Sequence, residues 1–199
     1  MKKTMKQKYR LTDETIKHNG VTLYRIEALM DFCNVKAGDK GGFVRSEFNL
    51  SQEGDCWIYD KAAVSGNAMV SGNAMVFGKA SVYDKAEVCD EAMVYGEAEV
   101  YGKAEVCGKS SVFGKAEVCG KAEVCGKASI KSIQDYIVFK NWWSSGRYFT
   151  WTRSNNMWKV GCFCGTGEEL IKKAYADSSE SGKEYERVVR YVENILASK

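Results

Sequence analysis

The sequence predicts a mainly β protein: a three-sided parallel β-helix with an N-terminal β-hairpin cap and a small C-terminal α+β domain. An aliphatic residue recurs at every sixth position from Ile58 to Ile130 without a break. Alanine or serine stands two residues before each of these positions from Val64 onward, and glycine or aspartate stands two residues after each as far as Val124. Strands and corners at a short fixed period are typical of a β-helix. The repeat divides the chain into a cap at 1–57, the β-helix at 58–130 and the α+β domain at 131–199.

Composition and charge limit the class of protein. The chain has 199 residues, 45% of them hydrophobic, which is enough to bury a core. It has no apolar run of about 18 residues, and its basic start, MKKTMKQKYR, lacks the apolar stretch of a secretory signal. We therefore expect a cytoplasmic protein without membrane contact. The net charge of +3 is too small to favour nucleic acid as the primary ligand.

The cysteines do not predict a metal site. None of the eight forms a CxxC pair of the kind that builds zinc sites, and in the cytoplasm they are expected to stay reduced. Cys162 and Cys164 share one face of an apparent strand, but no second ligand pair accompanies them. We predict neither a metal nor another cofactor.

The first predicted element is a β-hairpin within residues 9–32. Its turn lies at His18-Asn19-Gly20, because Asn-Gly tolerates the positive φ angles that a two-residue hairpin turn requires.

Each six-residue phrase then predicts one short strand and one corner. Alanine and valine point inward, and the residues between and after them point outward, as strand alternation requires. Sorting the residues after each aliphatic position at a period of 18 separates aromatic residues from cysteines, so one coil contains three phrases and about four coils are expected. Two of the columns are Tyr59, Phe77, Tyr95, Phe113 and Ser71, Cys89, Cys107, Cys125.

One side of the predicted β-helix is strongly apolar on its outer surface. We call this outward set the aromatic face: Trp57, Tyr59, Met75, Phe77, Met93, Tyr95 and Phe113. An apolar stripe of this size indicates an interface. Either the rest of the chain covers it, or a partner or a second subunit does.

A second side alternates carboxylates and thiols. We call it the acidic–thiol face: Glu87, Glu105, Glu123, Cys89, Cys107 and Cys125. Lysines at 85, 103 and 121 line the adjoining corner, so we expect this face to stand in water. The cysteine column is interpreted as small outward thiols, with redox sensing or disulfide bridging along the stack as the alternative.

The segment after the hairpin resembles the opening of the YdcK-like family. The matching features are KAG at 36–38, the Gly41-Gly42 pair followed by an aromatic residue, LSQ at 50–52 and GDCWIYD at 54–60. YdcK-like proteins are bacterial hexapeptide-repeat β-helices described as transferases without an established activity, and similar openings recur in phage proteins. The resemblance implies a left-handed β-helix whose first coil is closed by a cap. It implies no catalytic residue.

Enzymes do occur in the wider hexapeptide-repeat superfamily. Its acyltransferases generally use a histidine base between the subunits of a trimer, and its carbonic anhydrases hold zinc with three histidines. This chain has one histidine, His18, in the predicted turn. Three-histidine zinc binding within one chain is excluded, and a histidine base would have to come from the cap. We expect a non-catalytic protein, with a degenerate acyltransferase-like enzyme as the alternative.

The C-terminal part predicts a hairpin and two helices. YFTWTR and MWKVGCF are joined through residues 154–156, which are predicted to form a turn. Thr166 with Glu169, and Ser181 with Glu184, fit capping boxes at the starts of the helices.

This part also interleaves aromatic and basic residues. They are Trp142, Trp143, Arg147, Tyr148, Trp151, Arg153 and Trp158. Such a set suits base stacking or a protein hot spot. In the other interpretation most of the tryptophans form the core of the small domain, and Arg147 and Arg153 remain exposed.

These observations predict a non-catalytic interaction protein, a rigid shaft that carries a recognition domain. The phage-like resemblance implies an inhibitor of a bacterial defence system, such as a CRISPR or other nuclease complex, acting as a rigid wedge on a host protein. A polymer-forming structural protein is a further alternative. The predicted partner-binding residues are the aromatic face together with Trp142, Trp143, Arg147, Trp151 and Arg153, with recognition mainly in 131–199.

Overall fold

A computed structural model of the protein describes residues 7–197. Residues 1–6 and 198–199, at the ends of the predicted cap and C-terminal domain, lie outside the described residues. In chain order there are antiparallel strands, a stack of parallel coils, and an antiparallel sheet with helices. The predicted mainly β solenoid with a hairpin before it and an α+β region after it is confirmed.

The cap is an antiparallel sheet that continues into the solenoid. Its strands are β1 (Tyr9–His18), β2 (Val21–Ala28) and β3 (Lys40–Val44). The predicted turn is present, with positive φ at Asn19 (48°) and Gly20 (78°). Strand β3 pairs with β2 on one edge and runs parallel to the strand at Ala63–Val64 on the other, so the cap supplies the first edge of one solenoid side.

The solenoid is built from strands of two residues. They are β4 (Trp57–Ile58), β5 (Ala63–Val64), β6 (Met69–Val70), β7 (Met75–Val76), β8 (Ser81–Val82), β9 (Glu87–Val88), β10 (Met93–Val94), β11 (Glu99–Val100), β12 (Glu105–Val106), β13 (Ser111–Val112), β14 (Glu117–Val118), β15 (Glu123–Val124) and β16 (Ser129–Ile130). The predicted corners are present too. Gly102, for example, has φ 76°, and Asp84 one coil earlier has φ 61°.

Three parallel sheets form the three sides of the solenoid, as the 18-residue period predicts. β5, β8, β11 and β14 continue the cap sheet; β4, β7, β10, β13 and β16 form the second side; β6, β9, β12 and β15 form the third. Val82, Val100 and Val118 stack in register and are fully buried, like the other inward valines. Removing such a side chain from water stabilises the fold by about 1.5–3 kcal/mol.

The stack has an opening turn that the prediction of four coils omitted. Three segments lie below the first regular coil and pair with it in parallel: strand β3, Leu50 through its bridge to Val70, and strand β4. Cap residues therefore form the start of all three sides. The handedness stays a prediction from the resemblance.

The head consists of the C-terminal sheet and two helices. Its elements are β17 (Tyr136–Lys140), β18 (Tyr148–Thr152), β19 (Met157–Val160), β20 (Phe163–Gly165), α1 (Gly167–Asp177) and α2 (Ser179–Ala197). The predicted hairpin is β18 with β19, and both helices pack on this sheet around Phe149, Trp158 and Val189.

One of the two predicted capping boxes is correct. Thr166 Oγ1 accepts a hydrogen bond from the Glu169 N–H, and the Glu169 carboxylate accepts one from the Thr166 N–H. The box at Ser181 is wrong, because α2 begins at Ser179. The hydroxyl of Ser178, the one residue between the helices, accepts from the Ser181 N–H at 3.0 Å instead.

Candidate interaction surfaces

The last coil of the solenoid is closed by the head. In a stack of parallel coils each coil pairs with the next, so the last one has unpaired N–H and C=O groups. One head or linker side chain meets each side: the Tyr136 hydroxyl donates to the Glu117 carbonyl (3.1 Å), Thr150 Oγ1 accepts from the Glu123 N–H (2.9 Å), and Ser154 Oγ accepts from the Ser129 N–H (2.7 Å). The head thus provides hydrogen-bond partners for backbone groups of the last coil, which could otherwise pair with a strand of another chain.

This docking covers part of the acidic–thiol face, which we expected to stand in water. Cys107 and Cys125 are buried, and Glu105 and Glu123 are partly buried, whereas Glu87 one coil earlier is exposed. The expectation is wrong for the last two coils, because strand β18 lies over β15 in order to reach the edge.

A lysine of the head balances the carboxylates it covers. Burial raises the pKa of Glu123, and the neighbouring Glu105 raises it further. Lys159 interacts with both carboxylates and with the Cys107 and Cys125 thiols. Burial alone would lower the pKa of Lys159, but the negative charges of Glu105 and Glu123 raise it, so its ammonium stays charged beneath the head.

The cap covers the beginning of the aromatic face. Trp57, predicted to point outward, is 1% exposed. The rings of Tyr9 and Phe32 pack against it edge-on, with centroids at 6.1 and 5.3 Å. Tyr59 is partly buried against the same core. Trp57 is therefore a core residue rather than a partner contact, because β1 and the segment after β2 fold over the opening turn.

The rest of the aromatic face is a ladder of stacked side chains. Its residues, all partly exposed, are Met75, Phe77, Met93, Tyr95 and Phe113. The rings of Phe77 and Tyr95 are parallel within 1° at 4.7 Å, and those of Tyr95 and Phe113 lie 5.2 Å apart at 9°. The in-register coils impose this spacing, since neighbouring strands lie about 4.8 Å apart. We call these five residues the open ladder.

The head takes most of the predicted tryptophan set into its own core. Trp151 is 1% exposed and donates from Nε1 to Asn156, and the Trp143 ring packs edge-on against Tyr185 at 4.9 Å. The core interpretation is therefore correct for Trp151, whereas Trp143 is partly buried and packs against the edge of that core. Trp142, by contrast, is 75% exposed. Arg147 and Arg153 are also exposed, as predicted.

Sequence reasoning missed a cleft in the head. It has a volume of about 330 Å³ and lies between the loop at 141–147, the β19–β20 turn and both helices. The buried Asn141 amide donates to the Tyr185 hydroxyl at 3.1 Å, while Arg147, Lys173 and Asp177 line the mouth. These residues are distant in sequence and follow no shared period, so no local pattern could have found them. The cleft could hold a small polar molecule.

The remaining sequence candidates do not form a centre. His18 is partly buried at the end of β1, in the hairpin rather than in the solenoid. Among residues 7–197, no group of three His, Cys, Asp or Glu side chains could hold a metal ion. In the same part of the chain, no helix has both the length and the apolar character to cross a membrane.

A comparison with known proteins gives a partial similarity. The chain is 42% identical over 67 residues to a protein of Escherichia coli strain K12 that is called "Uncharacterized acetyltransferase YdcK". The match covers 30% of this chain and 21% of the relative, so the chain matches about a fifth of that protein's length. No protein-family model matches the chain. The similarity and the stacked coils are consistent with a hexapeptide-repeat β-helix.

Proposed function

We propose that the chain is a non-catalytic protein-binding module and that the open ladder is its principal contact surface. The observation that carries this proposal is the stack of Phe77, Tyr95 and Phe113. It stays partly exposed because the cap and the head both pack elsewhere on the solenoid.

The ladder has the chemistry of a protein contact. Aromatic residues and methionine are enriched in interfaces, and methionine adapts to the shape of a partner. Each ring is held by its stacked neighbour and by a backbone paired on both edges. Binding therefore costs little additional ordering of side chains or backbone.

The head is assigned a secondary part in recognition. With Trp151 inside its core and Trp143 packed against that core, the head presents Trp142, Arg147 and Arg153 to a partner. We therefore expect the solenoid, rather than residues 131–199, to make most of the contacts with a partner.

For the biological role we retain the inhibition of a bacterial defence complex. A stack of paired coils has little freedom to rearrange, so it can act as a wedge between partner surfaces. The support for this role is the phage-like resemblance of the opening segment together with the rigidity of the stack.

The test compares two matched pairs of stacked rings. Phe77→Ser with Tyr95→Ser disrupts the open ladder, and Tyr83→Ser with Tyr101→Ser removes a stack of the same geometry, 5.0 Å and 1°, on another side. A partner is captured from bacterial lysate with the unaltered chain and identified, and its affinity for each variant is then measured by calorimetry. We expect the first pair to weaken binding by about 30-fold or more, the loss of a hot spot of at least 2 kcal/mol, and the second to leave it near unchanged.

Two results would overturn the proposal. If Trp142→Ala with Arg147→Ala abolishes binding while the ladder variant binds normally, recognition lies in the head. If light scattering shows that the unaltered chain is an oligomer or polymer that the ladder variant dissociates, the ladder joins copies of this chain, as in a structural protein.

Acetyl transfer is the second candidate, and the name of the Escherichia coli relative favours it. Titration of acetyl-coenzyme A into the protein tests it directly. Micromolar binding, or an acetyltransferase activity lost in His18→Ala, would make the acyltransferase-like interpretation the better one. We expect neither.

A further inference from the structure

We propose that Cys89 and Cys107 form a hydroperoxide-sensitive dithiol, which closes to a disulfide between neighbouring coils of the solenoid. This modification site is independent of the binding function proposed above.

Backbone pairing places the two cysteines side by side. Glu87 pairs with Glu105 and Val88 with Val106, so Cys89 and Cys107 occupy equivalent positions one coil apart. The Cys89 N–H donates to the Val106 carbonyl at 3.0 Å, which holds the register at the cysteines themselves. Adjacent strands lie about 4.8 Å apart, within the range of about 4.4–6.8 Å between the Cα atoms of a disulfide. Both cysteines are free thiols.

The head makes the two thiols unequal. Cys107 is buried at the edge of the docked head, whereas Cys89 is partly exposed in the coil whose Glu87 is open to solvent. A small oxidant therefore reaches Cys89 first. This asymmetry depends on the docking of the head and is absent from the sequence pattern, in which all three members of the column are equivalent.

The contact between the thiols favours the same order of reaction. A hydrogen bond from Cys107 lowers the pKa of Cys89, although burial and the nearby carboxylates of Asp90, Glu105 and Glu87 oppose this. The same hydrogen bond raises the pKa of Cys107, and burial raises it further. Cys89 is thus the nucleophile, and Cys107 keeps its proton until the second step.

The chemistry has two steps and needs only a hydroperoxide. The Cys89 thiolate attacks the terminal peroxide oxygen, the O–O bond breaks, and the leaving alkoxide or hydroxide takes a proton, which gives a sulfenic acid. The Cys107 sulfur then attacks the Cys89 sulfur. The S–S bond forms, the S–O bond breaks, and the departing hydroxide takes the Cys107 proton as water. The two thiols lose two electrons to the hydroperoxide, and a thiol reductant reverses the change by exchange.

The test uses the full chain, reduced, freed of reductant and treated with hydrogen peroxide. Trypsin cannot assign the product, because residues 104–109, 116–121 and 122–127 all read AEVCGK. Cleavage after glutamate separates these cysteines, since it yields different peptides at 106–117 and 118–123. Free thiols are alkylated before digestion, and linked peptides are identified by mass spectrometry with and without reductant.

We expect the link between Cys89 and Cys107 to form first, about tenfold faster than oxidation of the exposed Cys33. Cys89→Ser should abolish it. Cys107→Ser should leave a Cys89 sulfenic acid that dimedone traps, and Cys119→Ser, on another side, should change nothing. Circular dichroism checks that each variant is folded. The proposal is overturned if Cys33 reacts as fast, if Cys107→Ser yields no sulfenic acid at Cys89, or if another pair or none is linked.

Discussion

The aromatic face and the acidic–thiol face share one backbone, one period and one core, yet they end in opposite environments. Most of the aromatic face is left open, while the last two coils of the acidic–thiol face are buried under the head. The apolar side would have gained more from being covered, at about 25 cal/mol for each Å² of apolar surface removed from water. Hydrophobicity therefore did not select the side on which the head docks.

The unpaired backbone groups at the ends of the stack determine where the head docks. The head contacts the unpaired edge of all three sides, through Tyr136, Thr150 and Ser154. A buried N–H or C=O group left without a partner costs about 1–3 kcal/mol. At the other end the cap acts in the same way: the Lys8 ammonium donates to the carbonyls of Gly54 and Cys56. The cap and the head therefore cover those parts of a face that lie next to the unpaired backbone groups at the two ends of the stack.

The largest expected effect compares the covered and open parts of the aromatic face. Trp57→Ala removes a fully buried ring beneath the cap and should lower the free energy of unfolding by about 3–5 kcal/mol. Tyr95→Ala, in the same side, removes a partly exposed ring with two stacked neighbours and should cost about 1–2 kcal/mol. Urea denaturation measures both. Equal losses would mean that the open ladder is packed as firmly as the cap.

The next effect breaks the edge contact of the acidic–thiol face. Thr150→Val keeps the shape of the side chain but leaves the partly buried Glu123 N–H without this partner, which should cost about 1–3 kcal/mol. The head should open more often, so Cys125 should react faster with a thiol reagent. Thr22→Val, at an exposed position of β2, is the matched control and should change neither quantity. If the thiol reactivity of Cys125 is unchanged in Thr150→Val, the edge bond does not hold the head.

The smallest effect concerns pH and Glu123. Its pKa is raised above the ordinary 4.5 by burial and by Glu105, so the native state favours its neutral form. The stability it contributes is complete below the unfolded pKa and is lost as pH rises through the folded one. At pH 7, Glu123→Gln should therefore melt higher than the unaltered chain, by no more than about 2 °C, and the difference should shrink towards pH 4.

Glu87→Gln provides the control for this pH dependence. It makes the same change in the same column, at an exposed position outside the head. If both variants shift the melting temperature equally at pH 7, the head does not alter the environment of Glu123.

The amino-acid sequence alone determined the solenoid. A valine at every sixth residue with alanine two before it, and a glycine or aspartate at each corner, specify strands, turns and an 18-residue coil, because each of these is a local preference repeated in register. The same period predicted which residues stack, including Phe77 on Tyr95 and Cys89 on Cys107. The hairpin turn at Asn19-Gly20 and the cap at Thr166 were predictable for the same local reason.

Only the tertiary structure decided which of the repeated positions are covered. Trp57 and Met75 occupy equivalent positions one coil apart on the apolar side, but the cap buries the first and leaves the second partly exposed. Cys89 and Cys125 are equivalent in the column, but the head buries the second. Residues at equivalent positions of the repeat have the same environment until the cap or the head packs on some of them. The head does so through contacts between residues distant in sequence, such as Glu123 with Thr150 and Cys125 with Asn155. These contacts satisfy the open edges of the stack, and such an edge exists only once the coils have formed.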